Sequence, residues 1–156
     1  MIFAFDCFGT IFDASTVPAE DVQYYVTQVK RGITPLTVPP SFSKMKAHAD
    51  VKPGLERLRS FGHRVVTCSN LPLWLLWDLS SASGLRWDMI CPIEVSGVYK
   101  PDRRAYTSLL TMLQCTPEEV IVVTMHLRGP DIDGAPAAGM GLRVIRQGTM
   151  TMGDLC

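Results

Sequence analysis

Four short stretches of this chain carry side chains suited to polar chemistry. Asp6 ends the apolar run from Ile2 to Phe5 and is followed by Gly9 and Thr10; Ser69 and Asn70 close a second run; Lys100 precedes Pro101 and Asp102; His126, Asp131 and Asp133 follow a third run. They supply acids, a hydroxyl, an amide, a cation and an imidazole, the last being the side chain that serves as base or water-orienting group near neutral pH. Singly, each has a structural reading. An Asp after a strand caps a turn, Ser-Asn closes strands, Lys-Pro-Asp opens helices, and an acid such as Asp133 complements a helix dipole. Folding does not require the set as a whole, so its recurrence at the ends of successive elements marks a candidate site.

The elements that must position these residues alternate in type. Buried strands are expected over residues 2–5, 64–68, 89–93, 119–124 and 142–145, because short uncharged runs fit sheets covered on both faces. Between them, helices are expected over 19–30, 53–61, 71–83, about 103–113 and 131–138. The first starts behind Pro18 with Glu20 and Asp21 in its first turn, the second turns Leu55 and Leu58 inward, and Pro101 with Asp102 begins the fourth. Trp74 and Trp77 stand three apart on one helix face and are expected in the core or an interface rather than on a ligand platform. Residues 32–43, with Gly32, Pro35, Pro39 and Pro40, read as a surface connection or a lid over Asp6. Strands separated by helices, without hairpin dipeptides, imply an α/β fold: a Rossmann-like parallel sheet with helices on both faces. Ligands gather at the carboxyl ends of such strands, where Asp6, Ser69, Asn70, Lys100 and the 126–133 loop all fall.

Bulk properties narrow the partners. The chain of 156 residues reads as one domain, 1–156, with residues 14–49 as a small insert. Lys plus Arg and Asp plus Glu are each 15, which gives no reason to expect nucleic acid or an anionic membrane. Five scattered cysteines without C-x-x-C spacing read as reduced thiols, and with no basic leader or long apolar run the expected location is cytoplasmic. His48 and His63 are expected at the surface, and the tail 147–156 is expected to fray.

The segments Phe5-Asp-Cys-Phe-Gly-Thr-Ile-Phe-Asp13, Thr67-Cys-Ser-Asn70, Tyr99-Lys-Pro-Asp-Arg-Arg-Ala-Tyr106 and Pro130-Asp-Ile-Asp-Gly-Ala-Pro-Ala-Ala-Gly-Met140 resemble, in order and spacing, the four motifs of the haloacid dehalogenase-like hydrolase superfamily. The resemblance spans nearly the whole chain apart from 14–49. It implies that Asp6 is a nucleophile forming an aspartyl ester that water then cleaves. It further implies that Thr10 and Ser69 hydrogen-bond the nucleophile or substrate, and that Lys100 neutralises Asp6 beside Asp131. A carboxylate suits the first role because it is ionised at neutral pH without a base.

Two departures refine that reading. Superfamily phosphatases place a proton-donating acid two residues after the nucleophile, where this chain has Phe8, and an acid that helps bind Mg²⁺ at about Met125 or His126. Neither a thioether nor an imidazole is a hard oxygen ligand, so no metal or other cofactor is expected, Mg²⁺ belonging only to a phosphatase alternative. An aromatic at Phe8, together with Lys100 and Tyr106, resembles the L-2-haloacid dehalogenase branch, whose halide leaving group needs no proton. That branch carries an Asn or comparable polar residue that helps place the hydrolytic water shortly before the last motif's acid, where this chain has Leu127-Arg-Gly-Pro130. Its halide-binding Arg lies in a helical cap, for which an insert of about 36 residues is too short. Arg31, the insert's sole arginine, is therefore either that ligand or an exposed helix-end cation. The expectation is a dehalogenase-like hydrolase of a small molecule, with Phe8, Asn70, Tyr106, His126 and Arg31 as substrate-binding candidates. Such a short cap leaves the site open or covered by a second subunit. The alternatives are a phosphatase and a catalytically impaired binding or regulatory protein.

Overall fold

The computed structural model describes residues 1–146 and Leu155. Strand β1 (Ile2–Phe5) lies inside a four-stranded sheet of order β2-β1-β3-β4, with β2 (Arg64–Thr67), β3 (Val120–Thr124) and β4 (Gly141–Val144) all parallel to their neighbours. Alternation along β1 divides two cores. Phe3 and Phe5 join Val65, Val123, Leu55, Leu58, Leu75 and Leu76, whereas Ile2 and Ala4 join Val66, Val122, Tyr106, Leu109 and Ala135. Helices α2 (Val51–Ser60) and α3 (Leu73–Ala82) thus supply the first face, and α4 (Arg103–Leu113) with α5 (Asp131–Ala137) the second. This is the expected layering of helices on both faces of a parallel sheet.

Helix α1 (Ala19–Lys30) occupies its expected span, with Glu20 and Asp21 in the first turn. The segment after it folds down as a 3-10 helix, Pro40–Lys44, which places Phe42 fully inside the first core with Tyr25, Leu36 and Met45. Asp13 N donates to Lys46 O at 2.8 Å and His48 N to Ile11 O at 3.1 Å, so both ends of the insert are tied together at the first strand's exit.

Two expectations need correction, and one of two alternatives falls away. Residues 89–93 form no strand: Met89 makes a single parallel bridge to Val66, then Cys91 N turns to the Thr67 hydroxyl at 2.9 Å and Pro92 has no N–H to extend a ladder. Of the two places expected for Trp74 and Trp77, the core is excluded: they are 50% and 62% exposed, because α3 buries Leu75, Leu76 and Leu79 instead. His48 is half-buried, its Nε2 donating to Gly9 O at 2.8 Å. The tail 147–156 lies outside the described residues except Leu155, whose side chain is buried in the first core. Cys7, Cys68, Cys91 and Cys115 are free thiols; Cys156 lies outside the described residues. Among the described residues no helix is long and apolar enough to cross a membrane.

Candidate active site

Sheet register builds the site. Phe5 pairs with Thr67 on one side and Val123 on the other, so the next residues of the three strands, Asp6, Cys68 and Thr124, come level at their carboxyl ends. Asp6 N still donates to Val123 O at 2.9 Å and Cys68 N to Phe5 O at 2.8 Å, which fixes the backbone where the carboxylate emerges. Beyond Asp6 the chain turns back, Ile11 N and Phe12 N both donating to Cys7 O at 3.1 and 3.0 Å. Gly9 takes φ +78° in that turn, and a Cβ there would stand 3.0 Å from the His126 ring, so conformation and crowding both call for glycine.

The two oxygens of Asp6 have different surroundings. Oδ2 accepts from the Thr10 and Thr124 hydroxyls, each at 3.1 Å, and lies 3.5 Å from His126 Nε2; Oδ1 faces Lys100 Nζ at 3.4 Å. Lys100, 2% exposed, divides its three N–H donors among Asp6, Cys68 O at 2.7 Å and Asp131 Oδ2 at 2.8 Å. Asn70 holds the lysine backbone from both directions, accepting from Lys100 N at 2.8 Å and donating to Lys100 O at 3.2 Å. Tyr106 donates to Asp131 Oδ1 at 2.7 Å, so both oxygens of that buried acid are occupied. The close passage of Tyr106 depends on Gly134, where an added Cβ would stand 2.5 Å from the Tyr106 hydroxyl oxygen.

Electrostatics follow from burial and pairing. Burial by itself would lower the Lys100 pKa, but Asp131 and then Asp6 outweigh it and hold the ammonium well above the ordinary lysine value. Asp131 is raised above the usual carboxylate value, first by burial, with Lys100 opposing and Asp6 adding to the rise. The arrangement is a buried cation between two acids, which makes removal of any one member costly to the others.

His126 borders the same carboxylate. Its Nε2 lies 2.7 Å from Phe8 O, and because a carbonyl only accepts, that nitrogen carries the hydrogen. Asp6 Oδ2 and Phe8 O thus share one imidazole N–H as neighbour. A divalent ion such as Mg²⁺ requires several hard oxygens in near-octahedral array. Here the imidazole stands against two candidate oxygens, and Asp131 is engaged by Lys100 and Tyr106, so these residues do not fit Mg²⁺. The Phe8 ring points into the insert, stacked on Phe42 at 5.2 Å between ring centres and tilted against Tyr25 at 5.4 Å.

Most of the sequence-derived candidates converge. Asp6, Thr10, Lys100, Asp131, Asn70, Tyr106, His126 and Phe8 form one connected group. Ser69 is buried beside them, but its Oγ accepts from Leu71 N at 3.1 Å rather than joining Asp6. Arg31 is exposed at the C-terminal end of α1, as the helix-end reading expects, and is not among the residues of this network. Asp133 is exposed in the first turn of α5. Thr124 and His48 went unrecognised in the sequence: the first touches Asp6 only through β1–β3 register, and the second reaches Gly9 O across the base of the insert.

No protein-family model and no curated protein sequence matches the chain. Solved structures do. The chain superposes on a crystal structure of an L-2-haloacid dehalogenase with a TM-score of 0.77 at 21% identity, over 99% of this chain and 89% of the other. The fold is that of the haloacid dehalogenase-like hydrolases. The L-2-haloacid dehalogenase from Xanthobacter autotrophicus, with chloropropionic acid covalently bound, matches at TM-score 0.72 and 18% identity, over 92% of this chain and 76% of its own. CbbY from Rhodobacter sphaeroides, in complex with phosphate, gives TM-score 0.71 at 15% identity over 97% and 88%. In the terms of that fold, the present chain keeps the core and packs a short insert, 14–49, over the first motif.

Proposed function

We propose that the protein is a metal-independent hydrolase that displaces a weakly basic leaving group through a covalent ester on Asp6. The observation that carries this reading is the asymmetry of the Asp6 carboxylate. Oδ2 is engaged by two hydroxyl donors and flanked by an imidazole, while Oδ1 meets, among the described residues, the 3.4 Å contact to Lys100 and keeps lone pairs free to attack. Attack by Oδ1 forms the ester bond and expels the leaving group with its electron pair. Water then adds to the Asp6 carboxyl carbon and the alcohol product departs, restoring the carboxylate. Asp131, with both oxygens occupied, positions Lys100 rather than activating water. One of the water's protons leaves with the alcohol and the other passes to solvent; the part-exposed His126, whose Nε2 carries its hydrogen, stands beside Asp6 as a donor. Phe8 cannot donate a proton to a leaving alcohol, which favours halide or a comparable leaving group. A structural relative holding chloropropionic acid covalently supports the same reading.

The test is release of halide and of phosphate from panels of halogenated compounds and phosphomonoesters, each with Mg²⁺ and with chelator, using Asp6→Asn as control. Halide release that ignores chelator and disappears in Asp6→Asn is the expected result. Turnover in heavy-oxygen water should also leave the label in the peptide containing Asp6. Mg²⁺-dependent phosphate release, which the likeness to phosphate-bound CbbY keeps as the second reading, would overturn metal independence.

A further inference from the structure

A cavity of about 280 Å³ opens where the insert meets the core, walled by Leu36, Pro72, Trp74, Ile93, Val98 and Tyr99. Its floor includes Asn70, the residue that grips the Lys100 backbone, and Tyr99 is the neighbour of Lys100 in the chain. The Tyr99 hydroxyl donates to Ile33 O at 2.6 Å, pinning the insert to the core at the rim. The wall is largely apolar, and among the described residues its one charged member is Glu94, whose Oε2 accepts from Leu73 N at 3.0 Å at the start of α3. No lysine or arginine is among the residues that line it.

We propose that this cavity binds the non-reacting part of the substrate, and that this part is a small apolar group, one ring or a short branched chain in size, bearing no negative charge. An apolar wall rewards removal of such a group from water, and about 150 Å³ already suffices for a benzene-sized guest. A carboxylate entering here would find no cation to replace its hydration and would face Glu94, so charge selects against 2-haloacids and for uncharged halogenated compounds. The assignment as a substrate subsite rests on the hydrolase reading of Asp6, while the cavity's ligand preference stands on its own wall.

Binding is measured on full-length Asp6→Asn protein by ligand-observed NMR titration with benzyl alcohol and benzoate, which share a ring and differ in charge. A saturable benzyl alcohol response at least about tenfold tighter than benzoate, lost in Val98→Trp, supports the proposal. Unfolding midpoints confirm that this cavity-filling variant remains folded. Glu94→Gln, which keeps an acceptor for Leu73 N, should narrow the gap by strengthening benzoate. No saturable benzyl alcohol response, equal binding of both probes, or binding unaffected by Val98→Trp overturns it. Heavy-oxygen labelling of Asp6 in the native protein separates the two claims. Label without benzyl alcohol binding defeats the cavity proposal alone; binding without label for uncharged halogenated substrates defeats the subsite role and leaves a ligand site.

Discussion

His126 Nε2 lies 2.7 Å from the carbonyl oxygen of Phe8, the residue two places beyond Asp6, and the same nitrogen is 3.5 Å from Asp6 Oδ2. A side-chain N–H therefore stands against two of the oxygens that would have to be among those holding a cation here. Gly9 makes room for the imidazole, and Gly129, where a Cβ would meet His126 Cβ at 2.9 Å, lets the following loop close over it. The packing thus disfavours a divalent ion at these two oxygens, as the proposed metal-independent reaction requires.

Replacing His126 by Asp should reverse that state. The variant presents a second carboxylate beside Asp6 Oδ2 and Phe8 O, a set of hard oxygens suited to Mg²⁺. Its unfolding midpoint should rise with added Mg²⁺, by about 1.4 kcal/mol of stability at tenfold the dissociation constant, or roughly 3–5 °C. The native protein should show no such shift. A native midpoint that climbs equally with Mg²⁺ would refute the packing argument.

Lys100→Met should cost about 3–5 kcal/mol in urea unfolding, because it strands Asp6, Asp131 and the Cys68 carbonyl without their shared donor. The pH dependence has a definite sign. In the native protein the raised Lys100 pKa contributes stability that is complete below the ordinary lysine value of 10.5 and fades as pH rises through the higher folded value. The variant loses that alkaline limb. Asp131 remains, now without the Lys100 charge that in the native protein opposes its rise above the carboxylate value of 3.8, so its ionisation disfavours the folded state more than in the native protein and stability returns as pH falls. Unfolding free energies at pH 5 and pH 8 should therefore be closer to native at the lower pH; a deficit that is equal at both would contradict the account.

What the sequence made legible was the part of the site carried by fixed local offsets. Asp6 with Thr10, and Lys100 with Tyr106, are each set by one turn or one helix start, and α1 and α4 occupy their expected spans because Pro18 and Asp102 mark their beginnings. Contacts made by register were invisible: Thr124 meets Asp6 only because Phe5 is level with Val123, a pairing between residues far apart in sequence. Periodicity also failed on α3, where leucines and tryptophans alternate around the whole helix and hydrophobicity cannot tell the buried Leu75, Leu76 and Leu79 from the exposed Trp74 and Trp77. The run 89–93 is strand-like in composition, but its ladder stops where Cys91 N turns to the Thr67 side chain.

Phe8→Ala should loosen the insert more than the core. Phe8 meets Phe42 and Tyr25, which also pack edge to face at 5.3 Å, and this three-ring contact joins α1 and the 3-10 helix to the Asp6 loop. Truncation should cost about 3 kcal/mol or somewhat more. Hydrogen exchange should accelerate at Ala19–Lys30 and Pro40–Lys44 while β1 and β3 retain protection. Uniform acceleration across sheet and insert would mean that the stack does not specifically anchor the insert.

Gly134→Ala tests the support beneath Asp131. In an unobstructed helix this change is stabilising by about 0.4–1 kcal/mol, because alanine restricts the unfolded chain. Here the new methyl would stand 2.5 Å from the Tyr106 hydroxyl oxygen and 2.7 Å from its ring, displacing the tyrosine that donates to Asp131 Oδ1 at 2.7 Å. The sign should invert, with a net loss of about 1–3 kcal/mol. In a Tyr106→Phe background the hydroxyl and its bond are already gone, so Gly134→Ala should cost less, with a coupling of at least about 0.5 kcal/mol in a double-mutant cycle. Additive losses would separate Gly134 from the Tyr106–Asp131 bond, and a more stable Gly134→Ala protein would show that the helix has room where the packing leaves none.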